Sequence, residues 1–311
     1  MRMGRSASDG ADNGTCLLSL TPRMVIWPAS DDLAPYISGY HLYAVGETGG
    51  QPHRGAFEPA WASLRIALTK CSEWRVRPAR GEWFAPPPVS LFGPSSSLTW
   101  SESEAGILLG AGIRPRGWLR LFASPASDWA DRIAEVPALA RLTPAMIHDR
   151  LLQSREDDDV RDRFDALFRA VLLPPTTADN AIARIEAALV DPEIETVEGL
   201  TKATGLHVRQ VERLALRAFG FPPKLLLRRA RFLRSLHAIR ATGRGGGSRA
   251  IDPAYTDHSH FIRDAHDFLG MSPQAFLEID MPLLKDSLKL RTSVLGTPAQ
   301  ALDGFAAPRL E

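Results

Sequence analysis

Gly205-Leu-His-Val-Arg209-Gln-Val-Glu-Arg213-Leu-Ala-Leu-Arg-Ala-Phe-Gly220-Phe-Pro-Pro223 returns, 50 residues later, as Tyr255-Thr-Asp-His-Ser-His260-Phe-Ile-Arg263-Asp-Ala-His-Asp-Phe-Leu-Gly270-Met-Ser-Pro273. The offset carries Arg213 onto Arg263, Ala215 onto Ala265, Gly220 onto Gly270 and Pro223 onto Pro273. A fixed period of this kind marks a recurring supersecondary unit. Each copy reads as a short helix closed by Gly, then a turn in which Pro restarts the chain. Two small helical units in tandem, one of them inside a basic stretch, point to a nucleic-acid partner.

That basic stretch runs from Lys202 to Arg249. It holds Lys202, Arg209, Arg213, Arg217, Lys224, Arg228, Arg229, Arg231, Arg234, Arg240, Arg244 and Arg249 against a single acid, Glu212. The whole chain has a net charge of only +1, so its charge is segregated. Phosphate backbones are drawn to such a field in any sequence context, and salt weakens the attraction. The plainer reading is a solvated helix face, but here the run coincides with the repeat.

Around the units the helical pattern is continuous. Ala181–Val190 carries Ile182, Ile185 and Leu189 on one side. Thr196 is placed to cap a helix over Thr196–Thr204 in which Val197, Leu200 and Ala203 face inward. Gly205 is the turn, and Leu206–Phe219 the second helix of the pair. Leu225–Ile239 is a longer helix with Leu225, Phe232, Leu236 and Ile239 on its apolar stripe and arginines crowding the remainder. In a helix-turn-helix the second helix enters the major groove, and side chains near its N-terminus reach base edges. Arg209 and Arg213, four apart, share a face, with His207 and Gln210 beside them; His258, Ser259 and Arg263 hold comparable places in the second unit. Arg pairs with guanine and Gln with adenine in two-bond geometries. Lys224 and Arg228 suit phosphates. Val211, Leu214, Ala218 and Phe261 are expected in the core. For any one polar position, surface exposure alone is an equal explanation.

Here the chain resembles a known family. Gly205–Pro223, with its Val-Glu-Arg and Phe-Gly-Phe-Pro-Pro-Lys, is similar to the first helix-turn-helix of AraC/XylS-type transcriptional regulators. Tyr255-Thr-Asp-His-Ser-His-Phe-Ile-Arg263, ending in Gly270-Met-Ser-Pro-Gln-Ala-Phe276, resembles the second. The resemblance covers roughly Ala178 to Asp280 and implies seven helices, the long one joining two units that enter successive major grooves. It matches Arg209 and Arg213 to base-contacting sites of the first unit, and His258, Ser259 and Arg263 to those of the second. The chain departs from the pattern at Gly243-Arg-Gly-Gly-Gly247, Arg249, Pro253, Ala254 and Ala265. Glycines and proline there cost a helix about 1 kcal/mol per Gly and more for Pro, so the second unit is expected to dock more loosely.

The N-terminal part reads differently. Met24–Trp27, Ile37–Val45, Trp61–Leu68, Trp74–Arg77, Val89–Phe92 and Gly106–Ile113 are short strands between Gly, Pro, Asn and Asp. All seven tryptophans lie in this first part. Aromatic-rich short strands suggest a sandwich or small barrel able to enclose a ligand, or simply a well-filled β core. From about Ser124 the pattern turns helical, with starts at Ser124-Pro-Ala-Ser-Asp128 and Thr143-Pro144. Val160, Phe164, Leu167, Phe168, Val171 and Leu172 form a stripe suited to dimer contacts or to the chain's own β domain. Pro94-Ser-Ser-Ser-Leu-Thr-Trp and Gly112-Ile-Arg-Pro-Arg-Gly-Trp118 resemble, more weakly, the sensor halves of such regulators.

The expected architecture is therefore α+β and multidomain. Residues 1–19 are a disordered N-terminus. Residues 20–175 form a β-rich sensor or dimerisation domain of barrel or sandwich type with a helical C-terminal part. Pro174-Pro175 is the linker, 178–285 an all-α domain with two helix-turn-helix units, and 286–311 a flexible tail. At 311 residues the chain is long enough for each domain to have its own core.

Expected partners are promoter or operator double-stranded DNA, a small-molecule effector, RNA polymerase and a second copy of the chain, with no membrane. Cys16 and Cys71 are the only cysteines, which fits a reducing cytoplasm. No cofactor or metal is expected. His41 and His53 are the only histidines in the β part, with no His-x-His pair. His258 and His260, two apart, do not share a helix face. No P-loop, Gly-x-Ser-x-Gly or dinucleotide fingerprint occurs, so an enzyme is not expected. The alternatives are a cupin-like metal-dependent or small-molecule-binding enzyme, and an interaction adaptor with a degenerate helix-turn-helix.

Overall fold

The computed structural model describes residues 16–47, 49, 51–68, 74–242, 251–255 and 257–303. Two antiparallel sheets form the N-terminal domain. The larger runs β1 (Arg23–Trp27), β2 (Ile37–Val45), β8 (Gly106–Ile113), β4 (Ser63–Ala67), β6 (Val89–Phe92) and β9 (Ile133–Glu135), in that spatial order. The smaller is β3 (His53–Phe57), β7 (Thr99–Ser103) and β5 (Arg75–Pro78). Side chains alternate faces along a strand. One face of the large sheet presents Tyr40, Leu42, Leu64, Ile66, Leu91, Ile107, Leu109 and Ala111, all buried. It packs against α1 (Pro115–Leu121), α2 (Pro144–Leu152) and α3 (Asp157–Val171).

The apolar stripe of α3 is consumed there. Phe164 and Phe168 stack on Tyr40 with ring centroids 4.9 and 6.2 Å away, and the Tyr40 hydroxyl donates to Asp165 at 2.7 Å. Of the two readings of that stripe, packing on the chain's own sheet is the one observed. Thr143 caps α2 by accepting from the Met146 N–H, with Pro144 at its first position. The opposite face of the large sheet meets the small sheet through Phe57, Trp74, Val76 and Phe92.

The C-terminal half is helical: α4 (Asp179–Val190), α5 (Val197–Thr204), α6 (Val208–Leu214), α7 (Pro223–Thr242), α8 (His258–Leu269), α9 (Pro273–Glu278) and α10 (Pro282–Leu295). The helix expected at the start of the second unit falls on residues of which 243–250 lie outside the described set; Ile251–Tyr255 is a turn. Cys71 also lies outside it.

Two expectations are corrected. The second core is not the helical domain's alone, because Ala56, Trp61 and Leu98 of the β domain are buried among Leu214, Phe219, Phe232, Phe268 and Phe276. Trp61 meets Phe219 edge-on at 5.4 Å, and the Leu98 N–H donates to the Phe268 carbonyl at 2.7 Å. The tail expected from residue 286 is, up to Asp303, ordered structure: α10 crosses that boundary and packs against β1 and β3. Its Leu284 and Leu288 are buried, Arg291 pairs with Asp303, and Gln300 donates to the Ala62 carbonyl at 3.2 Å. Pro282 at the first position of α10 supplies a fixed φ suited to a helix start.

Candidate nucleic-acid interface

The repeat survives as geometry. Gly220 and Gly270 both close their helices in the left-handed region, at φ 86° and 78°, which an L side chain adopts only with strain. Pro223 and Pro273, three residues on, open α7 and α9. In the first unit the Thr196 hydroxyl accepts from the Gly199 N–H at 3.0 Å, capping α5, and Gly205 turns the chain at φ 64°. His207 then caps α6. Val211, Leu214, Ala215, Ala218 and Phe219 are buried. α6 gives way to a π-helical turn over Ala215–Phe219, which rests on Ala126–Trp129 and on α1.

In the second unit Asp257 accepts from the His260 N–H at 2.7 Å and caps α8, while Phe261 and Phe268 pack on Phe232 at 5.8 and 5.1 Å. The C-terminal ends of both helices therefore face the β domain. Gly220 lies against Pro94 and the Ala126 carbonyl, Gly270 against Ala79. Their N-terminal ends are free: His207, Arg209, Gln210 and Arg213 are exposed on α6, and His258, Ser259 and Arg263 on α8. Among the described residues none of the three arginines has an ion-pair partner. The geometry brings each sequence-derived group together on its own helix.

The arginines of α7 behave otherwise, and Arg228 is not available as a free phosphate contact. Its guanidinium lies 2.5 Å from Asp264 and 2.9 Å from Asp267. Asp264 is 1 % exposed and also receives the Tyr255 hydroxyl at 2.9 Å and Arg231 at 3.7 Å. Arg234 pairs with Asp252 at 2.9 Å, and Arg240 with Glu58 at 2.9 Å. Arg229, 1 % exposed, donates to the carbonyls of Ser95 and Ala60 at 2.8 and 3.2 Å and stacks on Trp61. So the helix between the units spends its charge inward, and Asp264 fastens α8 to it more firmly than the glycine-rich approach suggests. Lys202, Arg209, Arg213, Arg217, Lys224 and Arg263 are the exposed cations of the two units among the described residues. Asp252, Asp264 and Asp267 were the signal that sequence reading overlooked; all three lie just beyond the basic stretch.

Among the described residues no group of three or more His, Cys, Asp or Glu side chains is arranged to hold a metal. His53 bonds the Gly46 carbonyl at 2.9 Å on the small sheet, whereas His41 points inside from the large one. No described helix is long and apolar enough to cross a membrane.

The capped pair α5–α6, turned at Gly205 and with the N-terminal end of α6 exposed, has the geometry of a helix-turn-helix. Residues 200–279 match the family model described as a helix-turn-helix domain. No curated protein matches the chain. Among solved structures the chain is similar to ToxT from Vibrio cholerae, with 11% identity, a TM-score of 0.42 and coverage of 82% of this chain and 97% of that one. It is also similar to ToxT with an unsaturated fatty acid bound, at 13% identity and TM-score 0.41, covering 73% and 91%. ToxT from Vibrio cholerae O395 gives 10%, 0.41, 82% and 96%.

Proposed function

We propose that the protein is a sequence-specific DNA-binding transcription regulator whose β domain senses a small molecule. As such it would act in the cytoplasm on promoter or operator DNA, beside RNA polymerase. The observation that carries this reading is the shared polarity of α6 and α8. Each is seated on the rest of the molecule by its C-terminal end and offers an exposed, unneutralised N-terminal end, the end that reads bases in helix-turn-helix docking. Arg209 and Arg213 on α6, with His207 and Gln210, are the proposed base readers of the first unit; His258, Ser259 and Arg263 are those of the second. Lys224 is the proposed phosphate contact. Support for sensing comes from the cavity of the β domain, which α10 lines through Leu284, Ser287, Leu288 and Arg291.

Selection of bound duplexes from a random pool, followed by competition gel shifts, tests the reading. Arg213→Ala should lose about 1–3 kcal/mol on the selected site and relax preference at one base position. Equal loss on selected and scrambled duplexes would contradict base reading; failure to enrich any sequence would refute the function and leave the adaptor role.

A further inference from the structure

The inner face of the large sheet carries chemistry that gripping DNA does not use. One register row crosses β1, β2, β8, β4 and β6 and sets Ile26, His41, Gly110, Arg65 and Ser90 side by side. Neighbouring strands are about 4.8 Å apart, so His41 and Arg65 flank a position with no side chain. The His41 ring fills the space above it: a Cβ at Gly110 would fall 2.0 Å from His41 Nε2.

Arg65 is enclosed. Its Nε and Nη1 have no contact with solvent and no hydrogen-bond partner, and neither does His41 Nε2. The guanidinium lies 3.7 Å from the centre of the Phe57 ring and 4.9 Å from that of Phe92. Among the described residues no carboxylate pairs with it. Glu58 and Asp131 line the same cavity, but Glu58 is held by His237 and Arg240, and Asp131 by Ser96. Burial lowers the Arg65 pKa to about 10, which still leaves it charged at neutral pH. His41 is held well below the usual imidazole range, by burial first and then by Arg65 and Arg291, so it is a neutral neighbour.

A cation whose Nε and Nη1 are shut from water without a counter-ion is unfavourable, and this one faces a cavity of about 160 Å³. A second cavity of about 90 Å³, lined by Met24, Val45, Trp74 and Leu108, adjoins it across Tyr43 and Phe57. We propose that this space binds a small organic carboxylate, its anionic end forked on Arg65 and its apolar body directed towards Trp74 and Leu108. The guanidinium fork matches a carboxylate's two oxygens. A cavity of about 150 Å³ accepts a benzene ring, which sets the scale of the apolar part. α10 lines the site through Leu284, Ser287, Leu288 and Arg291 and follows α9 of the second unit directly. Glu58 links the same site to α7. Occupancy would therefore alter how both helices sit; that regulatory half rests on the DNA-binding reading, and the binding half does not.

Calorimetric titration of the full chain with phenylacetate and hexanoate, against phenylacetamide, hexanamide and inorganic phosphate, tests it. Saturable binding of a carboxylate is expected, with its amide at least tenfold weaker. Arg65→Met should abolish that binding and raise the melting temperature of the unliganded protein, because it removes an uncompensated buried charge. A lowered melting temperature, with carboxylate binding unchanged in the variant, would make Arg65 only a stacked structural cation and overturn the proposal. Heat from neither acid, or phosphate binding as tightly as the acids, would also overturn it. Should Arg65→Met fail to fold, Arg65→Lys keeps the charge and loses the fork; at least tenfold weaker carboxylate binding supports the assignment, and undiminished binding opposes it. A bound acid that leaves affinity for the selected duplex unchanged removes the regulatory half alone. Carboxylate binding by a protein that enriches no duplex would sink the DNA-binding reading and leave the site standing.

Discussion

Glu58→Gln isolates the electrostatic tie between the β domain and α7. The Glu58 side chain is 6% exposed; its Oε1 accepts from Arg240 at 2.9 Å, and His237 Nε2 lies 2.9 Å from its Oε2. The His237 approach is not an aligned hydrogen bond, since neither atom has a hydrogen-bond partner. Burial alone would raise the carboxyl's pKa, but His237 and Arg240 outweigh it and bring the group from 4.5 down to about 2. A carboxyl whose folded pKa is depressed adds stability above its unfolded pKa and loses it as pH falls towards the folded value. A drop of that size corresponds to about 3 kcal/mol at pH 7, shrinking to about 1.5 kcal/mol at pH 3. Removing one partner of a buried pair costs about 3–5 kcal/mol. The partly exposed Arg240 places this pair at the lower end. Glutamine keeps the volume and the acceptor for Arg240, so the difference between the chains reports charge. Urea unfolding of both at pH 7 and pH 3 should give a deficit that halves with acidification. A deficit equal at the two pH values, or one below about 1 kcal/mol at pH 7, would refute the reasoning.

Arg228→Ala should destabilise the fold by about 2–3 kcal/mol, because it strips a partner from the buried Asp264; Lys224→Ala, on an exposed residue, should leave the denaturation midpoint alone and reduce the salt slope of DNA binding by about 1. The salt slope itself discriminates between readings of the basic stretch. With three of the exposed cations reading bases and three on phosphates, log K against log salt should fall with a slope of about −3, whereas engagement of the whole stretch would give about −10. Truncation after Lys285 removes most of α10 together with the Arg291–Asp303 pair. Thermal melting should fall by well over 5 °C, and an unchanged melt would mean that the segment contributes nothing to the fold.

Much of the fold was legible where a local rule forces the residue. Ile37–Val45, Val89–Phe92 and Gly106–Ile113 are strands with the bounds their composition suggests. The Gly–Pro punctuation of the repeat reads directly, because a left-handed helix cap selects Gly and a first helical position tolerates Pro. His53–Phe57 and Thr99–Ser103 escaped notice because His-Arg-Gly-Ala-Phe and Thr-Trp-Ser-Glu-Ser carry little apolar signal; they are strands by pairing with each other. Pro115–Leu121 is a helix that starts before Ser124, where the sequence pattern turns helical. Its Gly117 is what lets the helix approach the Tyr36 carbonyl, which a Cβ would meet at 2.2 Å. Arg65 gave no signal at all, since only the register across three strands puts it beside Gly110 and His41.

The basic stretch shows why composition alone misassigned a role. Charge counted along a window ignores partners that folding brings from outside it. Asp252 and Asp264 come from the turn before α8 and from α8 itself, and Glu58 from the β domain. Each neutralises an arginine that would otherwise add to the field around α6 and α8. α7 is thereby a spine: Arg229 and Arg240 bind it to the β domain, and Arg228, Arg231 and Arg234 bind it to the second unit. A helix held from both sides by short, buried polar contacts moves as a body or not at all, because close-packed interiors switch between arrangements rather than deform smoothly. Any signal that reaches Glu58 from the β-domain cavity has a rigid element on which to act. The exposed ends of α6 and α8 are then the parts that the proposed reading gives to DNA, with the arginines between them committed to holding the frame.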